Sequence, residues 1–98
     1  MSFDVAEVSG IGEYNSTTES GAQVYSVSGR VFLVVWPNTV EVRCDGNLIK
    51  LLTEEYESVM KSRYFGRGGI EIVLSGQLSR EEICDLVRLS YNLTKEMV

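Results

Sequence analysis

From Ala22 to Cys44 the apolar positions recur with a period of two, and that stretch sets the first expectation. "AQVYSVSGRVFLVVW" predicts a hairpin with Ser28-Gly29 at its turn. Within it, "VFLVVW" is apolar at every position, which suits a central strand covered on both sides. "PNT" supplies the next turn. "VEVRC" then alternates, which places Val40, Val42 and Cys44 inward and Glu41 and Arg43 outward. Three antiparallel strands in a meander result.

Beyond Cys44 the period lengthens to that of a helix. Asp45 is an N-cap, and "GNLIKLLTEEYESVM" puts Leu48, Leu51, Leu52, Tyr56 and Val59 on one stripe. "KSRYFGRGG", residues 61–69, reads as a helix exit and turn. "IEIVLSG" is another strand, with Ile70, Ile72 and Leu74 on one face. "SREE" from Ser79 is a capping box that opens a last amphipathic helix. Its apolar side carries Ile83, Leu86, Val87, Leu93 and Met97. Residues 1–20 are weakly patterned: Phe3, Val5, Ala6 and Val8 could form about two helical turns, and "EYNSTTESG" reads as loop. The expected fold is α+β, an antiparallel sheet of four to five strands with helices packed on one face.

Length and charge narrow the picture. The 98 residues make one domain spanning 1–98. Net charge is −5, and the first 29 residues hold no Lys or Arg. Nucleic-acid binders draw most of their affinity from neutralised phosphates, so an acidic chain argues against that class except through a local patch. The longest apolar run is far too short to span a bilayer, so no membrane role is expected. Two cysteines suggest no disulfide scaffold, and a cytoplasmic protein is expected.

Certain motifs carry a resemblance. Ser28-Gly29-Arg30-Val31-Phe32 and Arg43-Cys44-Asp45, the latter opening a helix, resemble the MmcQ/YjbR family. So does the tail "EIVLSGQLSREEICDLVRLSYNLTKEMV", with Ser90-Tyr91-Asn92-Leu93 at its family position. The resemblance covers roughly residues 20 to 98 and implies a CyaY-like fold, also compared with double-wing domains of phage transcription factors. Two departures stand out. The full N-terminal helix of the family is replaced by "FDVAEVSGIGE", and the segment before the last strand, "KSRYFGRGGI", lacks the histidine often found there. The family's "predicted DNA-binding" label rests on fold analogy, and fold alone does not carry function.

Chemistry is thin. With no histidine in the chain, general-base work and metal ligation lose their commonest residue. Cys44 and Cys84 sit among apolar residues, as structural thiols do. The expectation is a non-enzymatic binding module with no cofactor and no metal, contacting a protein partner or a second copy of itself. Phe32, Val34 and Trp36, alternating along one strand, are the candidate partner surface. The alternative is a double-wing-type DNA binder that uses Lys61, Arg63, Tyr64 and Arg67: cations for phosphates, a ring for stacking.

Overall fold

The computed structural model describes residues 3–97. After a single 3-10 turn at Val5–Glu7 come β1 (Asn15–Glu19), β2 (Ala22–Val27), β3 (Arg30–Val35) and β4 (Thr39–Arg43). α1 (Gly46–Glu55), β5 (Val59–Ser62), β6 (Gly66–Val73) and α2 (Arg80–Glu96) follow. The six strands form one antiparallel sheet in the order β1-β2-β3-β4-β6-β5. Both helices contribute to one apolar cluster on the same face of that sheet, α2 over β3 and β4 and α1 over β5 and β6. The α+β reading holds, with six strands in place of four to five.

The two extra strands explain themselves. β1 is "NSTTE", exposed at every position, so it sends no period-two apolar signal. It is held by a two-residue turn in which Ser20 and Gly21 both have positive φ, 51° and 85°. Ser28 and Gly29 repeat that device at 53° and 76°, the primed geometry whose twist suits a tight hairpin. β5 is "VMKS" and lies inside the apolar stripe assigned to the first helix. The helix stops because Tyr56 turns extended, at φ −124° and ψ 126°, which sends Val59 into the sheet. Leu51 consequently points to solvent, and Ile49 takes the buried place on α1.

The strand "VFLVVW" does not alternate as expected. Opposite β2, Tyr25 faces Leu33 but Ser26 faces Val31, which leaves Phe32 as an extra residue in a β-bulge. Phe32, Leu33 and Val35 therefore lie with the helix-side cluster, and Val34 lies on the other face with Ala22 and Val24. Phe32 and Val34 are both 0% exposed. The Phe32–Val34–Trp36 stripe is thus split between two faces by the bulge, and only Trp36 keeps partial exposure.

α2 settles over the bulge. Its buried residues are Ile83, Cys84, Val87, Ser90, Tyr91 and Thr94, a stripe rotated from the expected one, with Met97 exposed and Leu86 and Leu93 half-buried. The rotation has a polar cause. Ser90 Oγ accepts the backbone N–H of Arg43 on β4 at 2.8 Å and donates to the carbonyl of Phe32 on β3 at 2.7 Å. The hydroxyl bridges β3 and β4 just beyond Leu33–Val42, the last register pair at that end of their ladder. Tyr91 follows, its ring edge-on to Phe32 at 5.1 Å and its hydroxyl donating to the Glu13 carbonyl. The N-terminal segment, expected as two helical turns, makes one capped 3-10 turn and still buries Phe3, Val5 and Val8 in the core.

Candidate functional site

The face of the sheet away from the helices carries its own chemistry. Glu41 on β4 and Glu71 on β6 are register partners, side by side, and 0% and 5% exposed. Sequence alternation placed Glu41 outward towards solvent. Its side of the sheet is instead roofed by the loop Ser62–Phe65 that joins β5 to β6. The loop is pinned at both acids. Glu41 accepts hydrogen bonds from the Trp36 indole N–H at 2.6 Å, the Ser62 hydroxyl at 2.7 Å and the Tyr64 backbone N–H at 2.9 Å. Glu71 accepts Nε and Nη2 of Arg63 at 2.9 and 2.7 Å and the Thr39 hydroxyl at 2.7 Å.

Local sequence makes this closure possible. Gly69 lies under Phe65, and a Cβ there would strike the Phe65 ring and the Val42 carbonyl. Phe65, like Val31 and Trp36, packs against the Ala22, Val24 and Val34 cluster, and the Arg43 guanidinium sits 4.9 Å over its ring. Arg63 in turn lies 4.9 Å over Trp36.

Among the described residues no cation pairs with Glu41, yet it is held charged. Burial alone would push its carboxyl up. The hydrogen bonds from the Tyr64 N–H, the Ser62 hydroxyl, the Trp36 indole and the Arg63 N–H outweigh burial and hold it below the ordinary value of 4.5. The sign of the pH effect follows. A carboxyl whose folded pKa is depressed stabilises above its unfolded pKa, and that contribution is lost as pH falls through the folded value. Stability should therefore drop as pH goes below about 4.5, with Trp36, the sole tryptophan of the chain, reporting release of the loop. Urea titrations between about pH 6 and pH 3 measure it. Glu41→Gln, which turns an amide towards these donors, should be less stable at neutral pH by about 1–3 kcal/mol and show a flatter acid limb. An unchanged limb would mean that Glu41 does not hold the loop.

The four residues of "KSRYFGRGG" expected to act together are separated by this arrangement. Arg63 is committed to Glu71, and the Tyr64 ring is exposed beside Phe65 at 5.1 Å. Lys61 and Arg67 lie elsewhere, in a groove of about 830 Å³ between α1 and the β5–β6 hairpin. Lys50 on α1 joins them there, with Glu54, Ile49 and the first residue of the helix, Gly46. Three cations from three elements thus face one concavity with one acid. Among the described residues their side chains make no ion pair or hydrogen bond, whereas Arg63, Arg80 and Arg88 are all ion-paired. Lys50 escaped the sequence reading because it stands alone between apolar residues. Its helical phase, one step beyond buried Ile49, was the available signal.

Other chemistry finds no support in the geometry. Burial, and then the neighbouring Asp45 charge, push the Cys44 thiol up to about 11, and burial also raises that of Cys84. Both are free and buried. Among the described residues, no three His, Cys, Asp or Glu side chains come together as metal ligands would. No helix of the described residues is long and apolar enough to cross a membrane. In comparison with known proteins, a family model described as YjbR matches residues 11–93. No curated protein and no solved structure matches.

Proposed function

Since the chain belongs to the YjbR family, whose membership alone assigns no chemistry, we propose that it is a non-enzymatic binding module that holds an anionic partner in the groove between α1 and the β5–β6 hairpin. One observation carries this reading: Lys50, Lys61 and Arg67 converge on one concavity and are left without partners among the described residues. On the other face of the sheet, Arg63 is spent on Glu71. The non-enzymatic part is supported by the missing histidine and by two buried thiols held protonated. The free cysteines agree with a reducing, cytoplasmic setting. The antiparallel sheet with helices on one face agrees with a CyaY-like fold.

The favoured partner is an acidic segment of a protein. A duplex presents a long array of phosphates, and a body of net charge −5 behind three cations repels it. Duplex DNA is the second reading, favoured by the same three cations and the exposed ring of Tyr64. A fluorescence-anisotropy titration at about 50 mM salt compares an acidic peptide with a short duplex. The peptide should bind at least as tightly. Any DNA binding should lose affinity with a salt slope no steeper than about −3, from three phosphate contacts. The triple change Lys50→Ala, Lys61→Ala, Arg67→Ala should abolish binding and leave the fold intact, since all three side chains are exposed. Equal binding by the triple variant would remove the groove from consideration.

A further inference from the structure

The opposite flank of α1 has the opposite character. Helical spacing puts Leu48, Leu51, Leu52 and Glu55 on one edge, away from Lys50 and Thr53. That edge looks towards α2, as two cavities show. One, of about 200 Å³, is lined by Leu52, Tyr56, Leu78, Glu82, Asp85 and Leu86. The other, of about 250 Å³, holds Cys44 and Asp45 opposite Leu89, Leu93 and Glu96. Each helix packs chiefly on its own pair of strands, so a trough remains between them. Leu89, 49% exposed, lines the α2 wall, and helical spacing sets Leu51, 61% exposed, on the α1 edge beside Leu52. Leu52, Leu86 and Leu93 line the two cavities and are half-buried.

Its rim is acidic. Asp45, Glu82, Asp85 and Glu96 line the two cavities, and no lysine does. Arg43, the one cation of the lining, has its guanidinium engaged by the Val31 carbonyl and the Phe65 ring on the other side of the sheet. A trough with an apolar floor and acidic rims accepts one chemistry well: an apolar stripe flanked by positive charge.

We infer that the trough between α1 and α2 docks a basic amphipathic helix of a partner protein. Two or three apolar side chains, at i, i+3 or i+4, and i+7, would enter the cavities. Lysines or arginines on either side would meet Asp45, Glu82 and Glu96, whereas Asp85 already pairs with Arg88 at 2.7 Å. A second copy docked trough to trough fits poorly, because it would set these acids against their own kind. This inference is independent of the anion groove, which lies on the far flank of α1.

The probe is a synthetic peptide of roughly five helical turns, built of Leu and Lys with one apolar stripe. Two controls accompany it: the same stripe with Glu for Lys, and a scrambled Leu/Lys peptide of identical composition. Heteronuclear NMR titration and isothermal calorimetry read binding. The striped basic peptide should bind, with shifts on α1 and α2 and none confined to the β5–β6 hairpin. The double change Leu51→Ser, Leu89→Ser should weaken it at least tenfold, and both sites are exposed, so folding should be unaffected. Lys61→Ala should change nothing, which separates this site from the basic groove. Equal binding of the scrambled or the acidic peptide would overturn the inference. So would sedimentation showing a dimer that the double change dissolves, since the trough would then belong to a second copy.

Discussion

Replacing Phe32 with alanine is expected to destabilise the protein by about 3–5 kcal/mol, the largest effect of any single truncation considered. The ring is 0% exposed, meets Tyr91 edge-on at 5.1 Å and lies 6.4 Å from Tyr14. It is also the bulged residue, so no neighbour on its own strand can slide into the space it would vacate. The lost transfer free energy therefore adds to an unrelaxed cavity. Had the strand alternated without the bulge, the ring would have stood on the other face with Val34 and Trp36. Urea unfolding of Phe32→Ala against wild type measures the loss. A change below about 1 kcal/mol would contradict the burial of the ring, because truncations at exposed sites have effects of that size or smaller.

Ser90→Ala comes next, at about 2–4 kcal/mol, a large figure for the loss of one oxygen. The change leaves two buried backbone groups, the Arg43 N–H and the Phe32 carbonyl, without the partner that bridged them. An unsatisfied buried group costs about 1–3 kcal/mol, and the β3–β4 ladder ends at Leu33–Val42, short of both groups. Asn92→Ala, on the exposed side of the same helix, is the control and should stay within about 0.5 kcal/mol. If the two variants melt alike, a water has taken the place of the hydroxyl.

These residues also mark what the sequence could and could not convey. Period two over residues 22–44, the N-cap at Asp45 and the capping box at Ser79 were legible, because each is a local rule that tertiary packing respected. The bulge at Phe32 was not. It is an irregularity of pairing between strands, and an all-apolar run offers no alternation to break. β5 was hidden because Tyr56 and Val59 continue the helical stripe by chance of spacing. Glu41 read as outward, correctly for its direction, but a loop beginning twenty-one residues later covers that face. The candidate site was half legible: Lys61 and Arg67 came from the glycine-rich stretch, whereas Lys50 was supplied by another element and Arg63 was withdrawn by Glu71. Proximity along the chain brought four residues together that the strands then dealt to opposite faces.

The two margins of the sheet set how this protein can polymerise. β1 ends it on one side with five exposed residues, Asn, Ser, Thr, Thr and Glu, and offers no apolar side chain to anchor an incoming strand. β5 ends it on the other with four residues, a lysine among them, and a register shift at Lys61/Ser62 that breaks the ladder. An extended chain approaching either margin would find backbone hydrogen bonds but no dry interface to lock them. Growth by strand addition, the route to cross-β fibres, is thereby discouraged at both ends, even though the interior of the sheet is rich in valine and isoleucine.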